Sequence, residues 1–145
     1  MYVSNCMSKD VRITSPTQPI REAARLMKEI DAGFLPVGEN NRLIGMITDR
    51  DIAIRAIAEG MGPDTSVRDV MTKEVHYCFE DEDLGAVADE MSELKVRRLP
   101  VLNRNKRLVG IISLSDICQT GDQNAALTAA TLKSVSLPGG QHAQH

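Results

Sequence analysis

The chain repeats itself. Residues 3 to 37 laid over 67 to 101, an offset of 64, match at Val3/Val67, Met7/Met71, Lys9/Lys73, Val11/Val75, Ala24/Ala88, Met27/Met91, Glu29/Glu93, Leu35/Leu99, Pro36/Pro100 and Val37/Val101. One extra residue in "NRNKR" moves the offset to 65, after which Arg42/Arg107, Leu43/Leu108, Gly45/Gly110, Ile47/Ile112, Asp51/Asp116 and Ile52/Ile117 match. A duplication on this scale fixes the architecture before anything else does: one supersecondary unit of about 60 residues must be built twice. A unit of that size buries too little apolar surface to stand alone, so each needs cover. The boundaries read as 1–62 for the first unit, 63–121 for the second and 122–145 for a tail. "EGMGPDTS", with two glycines and a proline, forms the connection.

Within each repeat the periodicities agree. Ile20, Ala23, Ala24, Met27 and Ile30 form one helical stripe, and Leu84, Val87, Ala88, Met91 and Leu94 form its copy. "VRIT" and "VHYC" before them are short and β-prone. "SPTQP" and "EDED" suit helix starts, through proline near the first turn and carboxylates at the positive end of the dipole. "FLPV" and "LPVL" lead through polar turns into "LIGMIT" and "LVGIIS", two strands of a hairpin. A second helix follows in "DIAIRAIAEG", with Gly60 as its C-terminal stop, and is cut short at "QTGDQN" in the second copy. Each repeat therefore reads β-α-β-β-α, and the fold class is α+β. The open sheet faces are expected to pack on each other about a pseudo-twofold axis.

Charge and apolar runs narrow the function. A net charge of −3 offers nothing for tracking phosphates along a nucleic acid, so no nucleic-acid partner is expected. The apolar runs fall far short of the roughly 20 residues a spanning helix needs, and Met1 is not followed by a signal segment. No membrane association is expected, and the location expected is the cytoplasm. Cys6, Cys78 and Cys118 are odd in number and widely spaced, which suits buried thiols rather than disulfides or a zinc ribbon.

The duplicated polar residues are more informative. Thr48 and Ser113 each end a strand and open a helix, so hydroxyl and free backbone N–H groups point together at a place suited to an anion. Asp51 and Asp116 lie one turn on, within reach of a vicinal diol. Hydroxyl for phosphate and carboxylate for ribose describe a nucleotide. The same spacing is also an ordinary helix-capping pattern.

The order VxxVM, amphipathic helix, LPV, LxGhh[ST]xxDI, taken twice in register over residues 3 to about 119, resembles a tandem pair of CBS domains, the regulatory module named after cystathionine β-synthase. The resemblance is to a freestanding, bacterial-type CBS protein. It implies two β-α-β-β-α units packed through their sheets, with clefts for adenosine-containing effectors such as AMP, ADP, ATP or S-adenosylmethionine. It also implies homodimers forming a four-domain disc, an unidentified protein target, no required cofactor and no catalysis. Carried over, the ribose aspartate falls on Asp116, the phosphate-facing hydroxyls on Ser113 and Ser115, and the phosphate-binding bases on Arg97 and Arg98. Cys78, Leu99 and Pro100 flank the adenine. In the first repeat Thr48 and Asp51 match, with Thr14, Leu35 and Pro36 for the base. There Gly33 and Phe34 replace the two arginines, and Arg50, in place of Ser115, is expected to supply positive charge.

Three other readings compete. "MITDRD" is similar to the DxD motif of haloacid-dehalogenase-type phosphatases, but the second copy has Leu114 in place of Asp49. His76 and Cys78 alternate on one strand, yet two ligands are short of a zinc site. The module would alternatively serve only for dimerisation or partner binding, its clefts unoccupied; the Ala-rich "NAALTAATLKSVS" suits a short helix on a neighbour.

Overall fold

The computed structural model describes residues 1–119. The expected tail lies outside them. The elements are α1 (Ile20–Ile30), β1 (Phe34–Glu39), β2 (Arg42–Thr48), a π-helical segment (Asp51–Ile57), β3 (Cys78–Phe79), α2 (Leu84–Leu94), β4 (Arg98–Leu102), β5 (Leu108–Ser113) and α3 (Leu114–Cys118). Short 3-10 turns at Val3–Asn5 and Val67–Asp69 precede the two repeats' main elements. β1 and β2 form an antiparallel hairpin, as do β4 and β5, and β3 adds to β4 in parallel, giving an α+β fold.

The hairpins keep the same register. Leu35 faces Ile47 and Val37 faces Gly45, as Leu99 faces Ile112 and Val101 faces Gly110. Their turns differ, which is where the offset changes. Asn40 and Asn41 both take left-handed φ (55° and 63°), the two-residue turn that matches strand twist. The longer second turn is held by the Asn103 side chain, whose oxygen accepts from the N–H groups of Asn105 and Arg107, both at 3.0 Å. Asp31 and Lys95, at the ends of α1 and α2, are left-handed in both copies (φ 54° and 56°).

Packing and repetition do not share a boundary. The chain divides into a unit of Arg12–Val75 and a unit of Met1–Val11 with the chain from His76 on. Each repeat's leading segment thus belongs to the other repeat's core. Val67, Val70 and Met71 pack with Ile20, Ala23, Met27, Leu35, Val37, Ile47 and Ala56. Val3 packs with Leu84, Val87, Met91, Leu99, Val101 and Ile112. Ser8 bridges Ile111 in one unit as Thr72 bridges Met46 in the other. A glycine on each hairpin admits the crossing methionine. A Cβ on Gly110 would lie 2.5 Å from Met7 Sδ and 2.9 Å from the Ser8 carbonyl oxygen; on Gly45 it would lie 2.8 Å from Met71 Sδ and 2.9 Å from the Thr72 oxygen.

The expected elements need three corrections. In the first repeat the leading strand shrinks to one bridge, Thr14 with Val37, because the flanking residues pair no further. Ala24 is exposed; Leu26 packs against the core instead, shifting the buried stripe of α1 around the helix. The segment after Asp51 is wound as a π-helix, and Gly60, with φ +79°, lies beyond its end at Ile57. The sequence boundaries of 1–62 and 63–121 follow the repeats, whereas packing follows the exchanged leading segments.

Candidate functional site

In both units the corner where a strand turns into a helix is fixed by reciprocal hydrogen bonds. The Asp116 N–H donates to Ser113 Oγ at 3.2 Å, and the Ser113 N–H donates to Asp116 Oδ2 at 2.9 Å. Thr48 and Asp51 repeat the pair at 3.0 Å in each direction. These are capping boxes, with an aspartate in the usual glutamate position. The capping pattern in the sequence is therefore realised twice. Capping leaves chemistry over: each hydroxyl retains its own hydrogen to donate, and each carboxylate retains a second oxygen.

A second tie anchors each corner to the residue before the LPV strand. The Leu114 N–H donates to the Arg97 carbonyl at 3.0 Å, as the Asp49 N–H does to Gly33 at 2.9 Å. Across the hairpin, Arg98 faces Ser113 and Phe34 faces Thr48. The structure thus brings Arg98, Ser113 and Asp116 together, with Arg97 one residue before and Ser115 on the first turn of α3. Arg50, Arg97, Arg98 and Ser115 are exposed, while Thr48, Asp51, Ser113 and Asp116 are half-buried. The helical stretches that follow are short, five residues in α3 and nine from residue 49 to 57, so any dipole at the corners is that of one to two turns. In the second copy Arg97 and Arg98 add two positive charges to the chain leading into β4.

The residues assigned to the base are interior. Leu35, Pro36, Leu99 and Pro100 are buried, as is Thr14, and Thr14 lines a cleft of about 470 Å³ that Thr48, Arg50 and Asp51 do not reach. Cys78 is packed in the core, so what it presents along the sheet is backbone paired with Val101. Burial first, then the Glu82 and Glu90 carboxylates, pushes its thiol up to about 12. Cys78 is neutral at physiological pH and is a poor metal ligand. His76, its expected alternate on the strand, is exposed, and among the described residues no group of three or more His, Cys, Asp or Glu is placed to hold a metal.

Two features of the corners escaped the sequence. Cys6, from the leading segment, has its thiol held above the ordinary value by burial and then by the Asp116 carboxylate, which places that segment beside the second copy's corner. The Asp49 carboxylate lies against Gly33, a contact that two separated small and acidic residues do not announce.

The fold, the duplication and the twin corners define a tandem regulatory pair. A family model for the CBS domain matches residues 3–57 and again 67–120, and the chain belongs to the CBS domain family. The CBS domain-containing protein YhcV of Bacillus subtilis is 38% identical over 128 residues, 88% of this chain and 91% of that protein. The crystal structure of Hypoxic Response Protein I with two coordinated zinc ions superposes with a TM-score of 0.76 at 32% identity, over 84% of this chain and 100% of that one. The CBS domain pair of protein MJ0100, in complex with 5′-methylthioadenosine and S-adenosyl-L-methionine, gives 0.69 at 31% identity, over 82% and 94%.

Proposed function

We propose that this CBS pair senses an adenosine-containing effector, of the AMP, ADP, ATP or S-adenosylmethionine class, and regulates a protein target in trans or through assembly of a homodimeric four-domain disc in the cytoplasm. The observation that carries the reading is the corner itself: one hydroxyl and one carboxylate, fixed by the same reciprocal bonds, at the same strand end in both copies. Arg98 stands across from Ser113 where a phosphate would meet both. Asp51 and Asp116 accept from ribose hydroxyls through the oxygen that capping leaves over. The MJ0100 pair, similar over nearly its whole length, was solved with two such nucleosides.

Titration calorimetry and thermal shift on the full chain with AMP, ATP and S-adenosylmethionine test this. Binding is expected to raise the melting temperature by mass action. Asp116→Asn, which keeps an acceptor for the cap and removes the charge, is expected to weaken binding by about 1.5 to 3 kcal/mol, the worth of hydrogen bonds to a charged acceptor. An unmoved melting curve at millimolar concentrations of all three would favour the second reading, a dimerisation or partner-binding module. The specific observation on that side is that hydroxyl and carboxylate are each already engaged by a backbone N–H of the other residue.

A further inference from the structure

We infer that the two corners select adenosine ligands of opposite charge: the second copy takes a phosphorylated nucleotide, and the first takes a cationic nucleoside of the sulfonium class. The inference rests on the reading that both corners hold adenosine, and it deepens that reading. The second corner has Arg98 across from Ser113, Arg97 one residue before it in the chain, and the carboxylate of Asp116. The equivalent positions of the first hold Gly33, Phe34 and Asp51, with Asp49 replacing Leu114 and Arg50 replacing Ser115. Two cations and one anion in the second copy stand against two anions and one cation at the equivalent positions of the first.

Geometry makes the exchange more than a change of surface charge. The Asp49 carboxylate accepts from the Arg50 N–H at 2.8 Å and so turns back over residue 33. A Cβ there would lie 2.9 Å from Asp49 Oδ2 and 3.3 Å from its Cγ. A side chain at position 33 would require the Asp49 carboxylate to swing aside. Across the hairpin, Phe34 faces Thr48, so the position that offers a phosphate a guanidinium in one copy offers an apolar ring in the other. A phosphate at the first corner would meet two carboxylates. A sulfonium or ammonium group would meet a net negative charge there.

The test uses the full chain titrated with 5′-AMP, S-adenosylmethionine and uncharged 5′-methylthioadenosine, singly and in pairs, by calorimetry and amide NMR. The expected result is one equivalent each of 5′-AMP and S-adenosylmethionine bound together, with AMP shifting amides near Ser113 and the sulfonium compound those near Thr48. Arg97→Ala with Arg98→Ala should weaken AMP at least tenfold and leave S-adenosylmethionine unchanged. Asp49→Asn should weaken S-adenosylmethionine at least fivefold and leave AMP unchanged. Competition of the two for one equivalent, or variants that move both ligands alike, overturns the charge assignment and leaves the adenosine reading standing. If none of the three binds, 5′-methylthioadenosine included, both fail together.

Discussion

The Arg12–Val75 unit and the unit that joins Met1–Val11 to the chain from His76 share a skeleton and differ in what decorates it. Leu35 and Leu99, Val37 and Val101, and Ile47 and Ile112 hold the same register and burial. The glycines under the crossing methionines and the capping boxes are likewise duplicated. Divergence gathers elsewhere: in the turn between the hairpin strands, in the winding after Asp51, and at the pairs Gly33/Arg97, Phe34/Arg98, Asp49/Leu114 and Arg50/Ser115. Three of those four pairs are exposed in the second copy, where the core is indifferent to them. Duplicated positions that pack have stayed alike because a change of even one methylene is felt there. Those that face outward are under no such packing constraint.

That comparison breaks most readily in the cores. Leu35→Ala and Leu99→Ala remove equivalent, fully buried side chains, and each is expected to cost about 2 to 5 kcal/mol in denaturant unfolding. Costs that differed by more than the range itself would show that the cores are not equivalent. Next come the crossings: Gly45→Ala and Gly110→Ala place a methyl against a methionine sulfur and a carbonyl oxygen, an overpacking worth about 1 to 3 kcal/mol. Gly110 should be the more sensitive, its Cβ position being 2.5 Å from sulfur against 2.8 Å for Gly45. Thr48→Ala and Ser113→Ala each lose a helix cap, about 1 kcal/mol by the same measurement.

The smallest effect separates the copies. Burial, and then Glu82, hold the Glu90 carboxyl above its ordinary 4.5, with Glu93 adding and His76 opposing. A carboxyl with a raised value in the folded state stabilises fully below its ordinary value and loses that contribution as pH rises through the raised one. Glu90→Gln should therefore gain stability at neutral pH relative to the parent, and the gain should vanish below pH 4.5. Its counterpart in the first copy is Leu26, so Leu26→Gln should show no pH-dependent component in the same pH series of denaturant melts.

The sequence shows the parts that depend on spacing along the chain. The buried stripe of α2, the LPV strands, the hairpins and the capping pairs were all legible, since apolar period and local hydrogen bonding reach only a few residues. Ala24 was misplaced because alanine fits either side of a helix boundary; the neighbouring Leu26 decided which way α1 turned. The π-winding after Asp51 was hidden because apolar residues at 3.6-residue spacing do not say which carbonyl each N–H will choose. The exchange of leading segments was hidden for a different reason. Val3, Val67 and Met71 announce that they will be buried, and nothing within a few residues names the core that receives them. The corner's hydroxyl and aspartate were found by duplication, and the Gly33–Asp49 contact was missed because duplication is absent there.

The crossed leading segments also bear on how such a chain came to be. A single-copy ancestor with this packing could complete its core only by lending its first residues to another molecule and borrowing theirs in return. In the tandem chain the exchange is intramolecular, so completing each core does not depend on protein concentration. Once fused, neither half can be cut out along the line of the duplication without leaving an opened core behind.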